Sequence, residues 1–361
     1  MPALPPAPVV RAVEGVRARL QHLTRKLAPA PFALLELAQG SMVTQAIYVA
    51  AELRVADALE DGPLTVQELA REVDADPEAL HRLLRMLAGH SIFAQQGDGR
   101  FRLTPMADAL RENAPVSMRD IAVLMGHPTH WEDWSHLLDS VRTGEPSMPK
   151  LRGMGAFEYL EANPDYGKVF IDGMGAMSDT ETLPIVAAYD FSRFGTIVDF
   201  CGGRGTLLAG ILQRAAGARG ILYDPRVDDN GAADFLKEEG VADRCTIVSG
   251  GLFDAPPAGH DAYILKHILH DWPQPQALEI LKRVREAISP DGRLLLMEMV
   301  PPSSGNAPHA AKLVDLWLML LVGGKERTQE QYAELLAAAG FRLERVVQTA
   351  AAISIVEARP C

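Results

Sequence analysis

The stretch Ile197–Leu212, IVDFCGGRGTLLAGIL, decides the fold. Its first part continues a short apolar run, Thr196–Phe200, in which Asp199 stands near the end. Cys201, Gly202, Gly203 and Gly205 follow, and a helical pattern then runs over Thr206–Ala215. A buried strand, a tight turn of small residues and a helix start let the backbone approach a ligand and offer it free N–H groups. The spacing is not G-x-G-x-x-G, and no Lys-Ser/Thr pair follows, so neither the dinucleotide fingerprint nor the phosphate loop is present. Asp224, in ILYDP, stands 25 residues after Asp199, at the end of the next strand, Gly220–Tyr223. A carboxylate there can accept both hydroxyls of a ribose.

Outward from this unit the texture persists. Cys245–Val248, Ala262–Leu265 and Arg293–Met299 read as further strands, separated by helices such as Gln274–Ile288. Strands alternating with helices predict an α/β domain with a doubly wound, mostly parallel sheet. A helix over Gln329–Ala339 stops at Gly340, and Arg342–Gln348 with Ala352–Ala358 fit an antiparallel pair at the end of the chain. No internal repeat is found.

Before residue 189 the pattern is helical. Gly40–Leu59 reads as one helix with Met42, Ile47, Ala50, Leu53, Val55 and Leu59 at helical spacing, stopped by Asp61-Gly62-Pro63. A short helix runs from Thr65 to Val73. Asp76 caps a further helix, Pro77–Ala88, with Pro77 at its first position and Leu80, Leu83, Leu84 and Leu87 on one face. A hairpin of Ile92–Gln95 and Arg100–Leu103 follows. Helices then a two-stranded wing form the pattern of a winged helix-turn-helix, which raises DNA binding. Charge argues against it: Ser41–Leu110 has six Arg and no Lys against eleven Asp and Glu, a net −5, whereas a DNA-binding module is basic on one face. The region therefore reads as a packing or dimerisation module. Residues 1–30 read as a Pro- and Ala-rich lead-in with a helix through Val13–Lys26, and Asp108 to about Ala188 as mostly helical.

Composition bounds the rest. The 361 residues favour about two domains. The 48% hydrophobic and 23% charged residues are the balance of a globular protein, and the net charge of −12 disfavours nucleic acid as partner. Three cysteines are too few for a disulfide framework and suit a reducing, cytoplasmic compartment. No apolar run reaches the roughly 18 residues of a membrane span, and the proline-rich start (Pro2, Pro5, Pro6, Pro8) is no secretory signal.

The segment DFCGGRG, Asp199–Gly205, resembles the first motif of S-adenosylmethionine-dependent methyltransferases. LKHILHDWPQPQALEILKRVREAISPDGRLLLMEMVPP, Leu265–Pro302, and GGKERTQEQYAELLAAAGF, Gly323–Phe341, extend the likeness. Together they resemble the metal-independent O-methyltransferases that include plant caffeic acid and flavonoid enzymes and bacterial natural-product tailoring enzymes. The resemblance runs from about Gly40 onward. It implies a Rossmann-like sheet, an N-terminal winged-helix-like dimerisation domain, a homodimer and S-adenosyl-L-methionine as cofactor. The expected division is 1–30 lead-in, 31–110 dimerisation domain, 111–188 helical linker contributing to the acceptor pocket, and 189–361 cofactor-binding domain.

The resemblance also implies roles. His270 holds the position of the catalytic base, Glu298 and Glu326 those of its flanking carboxylates, and Asp271 that of an acidic neighbour. Asp199, Cys201, Gly202, Gly203, Gly205, Asp224, Gly251, Leu252 and Lys266 fall on cofactor positions. A phenol of pKa about 10 is mostly neutral at physiological pH, and a histidine near 6.5 suits it as base. Two departures stand out: Cys201 replaces the first of three glycines, and Gly251 replaces a side chain expected near the adenine. His267 reads as packing. No HExxH or cysteine cluster marks a metal site. Trp131, Trp134, Phe157, Phe170, Met174, Met177, Trp317 and Met319–Leu321 are candidates to line an apolar acceptor pocket. The reading is O-methylation of an aromatic or polyketide-like small molecule. N- or C-methylation, a non-methylating reaction on the same fold and a ligand-responsive winged-helix regulator are the alternatives.

Overall fold

A computed structural model describes residues 5–227 and 230–361. They form two compact units: residues up to Arg19 with Leu138–Gly153 and Asp179–Cys361, and Leu20–Leu137 with Met154–Ser178. The chain thus enters each unit more than once, a discontinuity that consecutive blocks ending at residues 30, 110 and 188 do not express.

The unit built on Leu20–Leu137 is helical apart from a hairpin, β1 Phe93–Gln95 and β2 Phe101–Leu103, paired antiparallel. Local signals start its helices. Thr65 and Glu68 form a reciprocal capping box, and the Asp76 carboxylate accepts the Ala79 N–H at 2.8 Å with Pro77 at the first helical position. Val55, Leu69, Leu84, Leu87, Phe93 and Phe101 make its core. One sequence expectation fails here. The single helix over Gly40–Leu59 is two, Gly40–Glu52 and Val55–Ala58, broken at Arg54, whose φ is 55°. The Arg54 guanidinium is held by Glu112 and lies 3.7 Å from Asp57. The break turns Val55 and Ala56 inward, where both are buried, and leaves Met42 on the surface. The lead-in is also more regular than its composition suggests: Ala7–Leu27 is a 21-residue helix with no buried residue.

The other unit is built on a sheet: β3 Thr196–Phe200, β4 Arg219–Tyr223, β5 Cys245–Val248, β6 Ala262–Lys266, β7 Arg293–Glu298, β8 Phe341–Gln348 and β9 Ser354–Pro360. The order is β5-β4-β3-β6-β7-β9-β8. The first five run parallel, while β9 is antiparallel to both β7 and β8. Helices cover both faces, so the central strands are apolar at nearly every position. Ile197, Ile264, Leu295, Met297 and Ile355 enter the core on one face. Val198, Phe200, Tyr263, Leu265, Leu294, Leu296 and Val356 enter the core on the other. Chain order reverses between β3 and β6, which places the ligand crevice of such sheets at their carboxyl ends. Asp199 stands near the end of β3 with the glycine turn after it, Lys266 ends β6, and His267 and His270 follow.

Candidate active site

The turn after β3 is shaped by packing as much as by openness. Cys201 has a φ of 60°, Gly203 of 59° and Gly205 of 90°, all left-handed. A Cβ on Gly202 would strike the Asp199 carboxylate and lie 2.7 Å from Leu222, so glycine there allows the turn to close over Asp199. A Cβ on Gly203 would meet nothing within 4 Å, so that face is open. The Gly203 N–H donates to Asp224 Oδ2 at 3.0 Å, and the Arg226 N–H to Oδ1 at 2.8 Å. Each oxygen keeps a lone pair for a further donor. Asp199 is buried, and its Oδ2 has no hydrogen-bond partner among the described residues. Burial, opposed by Lys266 and reinforced by Asp224, pushes its carboxyl up to about 7. Burial with Asp224 and Asp199 pushes the Cys201 thiol up to about 12, so it carries no reactive thiolate.

Beyond Val248 the chain turns at Gly250 and Gly251. Gly250 lies against the Tyr223 ring, where a Cβ would overlap it. The Gly251 N–H donates to Asp254 Oδ2 at 2.8 Å, and a Cβ on Gly251 would fall 2.9 Å from that oxygen. The Asp254 carboxylate therefore takes the space that a side chain at position 251 would enter. Leu252 is half-buried beside it.

The chemistry-bearing cluster follows β6. The one-turn helix Leu269–Asp271 carries His270, which is buried. Its Nδ1 lies 3.0 Å from Glu326 Oε1 and 3.5 Å from Glu298 Oε2, and its Nε2 lies 3.6 Å from Asp271 Oδ1. Glu298, the last residue of β7, accepts the Leu269 N–H on Oε1 at 2.9 Å. Burial disfavours the His270 imidazolium, but Glu298, Asp271 and Glu326 outweigh it and raise His270 to about 10. Burial raises Asp271 and Glu298 in turn, with His270 pulling both down.

The GGKERT segment clamps this turn. The Lys325 N–H donates to the His270 carbonyl at 2.8 Å. Arg327, fully buried, donates to the carbonyls of Leu269 at 2.6 Å and Trp272 at 2.9 Å. A Cβ on Gly324 would collide with the His270 carbonyl oxygen and lie 2.8 Å from the Asp271 carbonyl carbon. The Glu326 N–H donates to Asp315 Oδ1 at 2.8 Å. Sequence reading missed Gly324, Arg327 and Asp315. For Gly324 and Arg327 the clue was the crowding of small and charged residues in one short motif, while Asp315 lies outside it, in the helix Ala311–Leu321.

His267 is more than packing. Its φ is 53°, its ring stacks on that of His270 at 5.0 Å, and its Nε2 lies 2.8 Å from Glu181 Oε2. The same oxygen lies 3.0 Å from Lys266 Nζ. Glu181 was also missed. Atoms of His267, His270 and Glu298 come within 4.8 Å of one another, but one nitrogen of each ring is already hydrogen-bonded to a carboxylate, His267 Nε2 to Glu181 and His270 Nδ1 to Glu326. Of the pocket candidates, Trp317 and Met319 belong to the unit that holds His270, as does Leu320, while Trp131, Trp134, Phe157, Phe170, Met174 and Met177 belong to the other. Phe157 is exposed.

The matched family models cover most of the chain. Residues 134–342 match an O-methyltransferase domain, and residues 35–122 match an O-methyltransferase dimerisation domain. The chain belongs to the O-methyltransferase family. It is 41% identical to a phenazine O-methyltransferase of Lysobacter antibioticus over 91% of this chain and 95% of that one. It is 33% identical to an 8-amino-8-demethylriboflavin N,N-dimethyltransferase of Streptomyces davaonensis, over 87% of this chain and 90% of the other. A solved O-methyltransferase from neocarzinostatin biosynthesis, in complex with S-adenosylmethionine and 2-hydroxy-5-methyl naphthoic acid, matches with a TM-score of 0.74 and 30% identity, covering 88% of this chain and 96% of that one. The protein is an S-adenosyl-L-methionine-dependent methyltransferase of the natural-product type. No helix among the described residues is long and apolar enough to cross a membrane.

Proposed function

We propose that this methyltransferase acts on a hydroxyl of an aromatic or polyketide-like small molecule, with His270 taking the hydroxyl proton. The observation that carries the reading is the His270–Glu326 pair beside the switch point of the sheet. With the Nδ1 proton on Glu326, the lone pair is left on Nε2. Glu298 and Asp271 then stabilise the imidazolium that forms. An imidazole raised to about 10 binds a proton about as tightly as a phenolate does, so the transfer is nearly balanced. An arylamine keeps a free lone pair and has less need of such a base, which favours oxygen over nitrogen.

S-adenosyl-L-methionine supplies a methyl group on a positively charged sulfur. The open face of Gly203, the unpartnered Asp199 oxygen and the spare lone pairs of Asp224 fit it. The residues proposed to hold it are Asp199, Cys201, Gly202, Gly203, Gly205, Asp224, Gly251, Leu252 and Lys266. Positioning of the acceptor against it supplies much of the rate, and Trp317 and Met319 are proposed as apolar contacts for the acceptor. We also assign the active form as a homodimer. The dimerisation-domain match supports it, as does an uncovered apolar stripe on Ala7–Leu27: Val9, Val13, Val16, Leu20, Leu23 and Leu27 recur every three or four residues and are all more than half exposed.

The test is methyl transfer from labelled S-adenosylmethionine to matched phenols and anilines, with the product's methylated atom located by mass fragmentation. Phenol ethers are expected. N-methyl anilines as the main product would overturn the reading. Calorimetric titration with the methyl donor, weakened by Asp224→Ala, checks the cofactor residues separately.

A further inference from the structure

Glu181 is a buried carboxylate that the mechanism above leaves unused. It is 4% exposed, sits in the helix Pro164–Ala188, and offers one oxygen to two donors from the end of β6. Lys266 Nζ lies 3.0 Å from Oε2 and His267 Nε2 lies 2.8 Å from it. A buried charge with two such partners is held in one geometry, and removing it takes that charge from both.

His267 is the other half of the arrangement. A left-handed φ at a residue with a side chain is sparsely populated and persists only where the surroundings enforce it. Here the backbone strain at 53° accompanies a ring laid against His270 at 5.0 Å and 27°, while its Nδ1 is buried with no hydrogen bond among the described residues. The hydrogen bond to Glu181 is therefore what sets the orientation of that ring. His267 separates Lys266, a cofactor position, from the turn that carries His270.

We propose that Glu181 is a positioning residue for methyl transfer, fixing Lys266 at the cofactor end of the site and, through the stacked ring of His267, the orientation of His270 at the base end. The assignment rests on the roles given to Lys266 and His270 above. Burial works against ionisation of Glu181, yet His267 and Lys266 hold it down to about 2, so it is an anion throughout the working pH range.

The two arms of the network predict different signatures. Steady-state kinetics on the full chain with a phenol the wild type methylates, and calorimetric titration with S-adenosylhomocysteine, separate them. Glu181→Gln keeps the shape and removes the charge; it is expected to lower kcat about tenfold and weaken cofactor binding about fivefold, because both arms lose their anchor. His267→Asn is chosen because asparagine tolerates a left-handed φ. It is expected to lower kcat about tenfold and leave cofactor binding within about twofold. The double variant is expected to have a kcat no lower than either single variant, within about twofold, because the two residues act on His270 in series.

Glu181→Gln matching the wild type in both readouts overturns the proposal. So does a double variant that multiplies the two losses to about a hundredfold, since independent sites add in free energy. Should Glu181→Gln not fold, His267→Asn decides alone, and an unchanged kcat is the overturning result. A wild-type chain that binds the cofactor and methylates no phenol defeats the proposed acceptor, and the cofactor titration of Glu181→Gln still tests the Lys266 arm.

Discussion

Strands β3, β6 and β7 and the helix Ala7–Leu27 are both rich in apolar residues, and the chain treats them in opposite ways. Nearly every residue of the three strands is buried by the helices and strands of their own unit. The helix buries none of its residues, and its leucines and valines stay uncovered. The strands close their surface within one chain, so a change there is felt in folding and chemistry. The helix leaves its surface uncovered, so under the proposed homodimer a change there is felt in association. The chemistry grows out of the first kind of region, where a rigid, fully packed sheet can hold a charged cluster at its strand ends.

The sharpest way to break this contrast is at His270. His270→Ala is expected to lower kcat by about 10²–10⁴, the usual contribution of a positioned base. Cofactor affinity should stay within about twofold, and a matching fall in affinity would move His270 from chemistry to scaffold. The pH dependence comes next. Glu298, Asp271 and Glu326 hold the His270 proton up to about 10, and only the neutral ring accepts a proton. The neutral fraction then grows with pH, and kcat/KM is expected to rise about tenfold per unit between pH 7 and 9. A flat profile there would show that the free enzyme already holds His270 neutral.

Asp199→Asn gives a smaller effect of the opposite kind, on stability. Burial pushes this carboxyl up to about 7, while in the unfolded chain it ionises near 4. The folded protein therefore binds more protons in that window, and stability falls as pH rises through it. Asparagine escapes the penalty, so the variant is expected to gain up to about 4 kcal/mol at pH 8 and almost nothing below pH 4, read by chemical denaturation. Cofactor binding should weaken at the same time. The smallest effect on folding is expected at Leu20→Glu with Leu23→Glu. Both sites are exposed, so unfolding of the subunit should change by less than about 0.5 kcal/mol. Under the proposed homodimer, light scattering should nevertheless find this variant monomeric and the wild type dimeric.

Much of the sheet was legible before any coordinates. Strands from Thr196–Phe200 to Arg293–Glu298 fall within a residue of their expected limits, because strands buried on both faces read as short unbroken apolar runs. The ends of the last pair, β8 and β9, shift by up to two residues. Asp199, Asp224, His270, Glu298 and Glu326 were legible because motifs place them. The break at Arg54 was not, since Glu112, which holds that side chain, lies 58 residues away. Glu181 was hidden for the same reason: its surroundings in SDTETL look like a solvated helix face, and His267 is 86 residues distant. Long-range partners decide such positions, and a local pattern carries no trace of them.

The antiparallel course of β9 has a practical side. Ser354 pairs with Glu298, at the end of the sheet that carries the charged cluster, and Ala358 pairs with Leu294 further back along β7. Seven residues of strand therefore carry the backbone about 20 Å away from that end. Cys361 follows, anchored by its N–H on the Gly340 carbonyl and bearing the exposed thiol of the chain, while Cys201 and Cys245 are partly buried. A maleimide dye or a gold surface would find that sulfur first. The molecule comes with a built-in handle for immobilisation or single-molecule work, placed where attachment leaves the reacting end of the sheet clear.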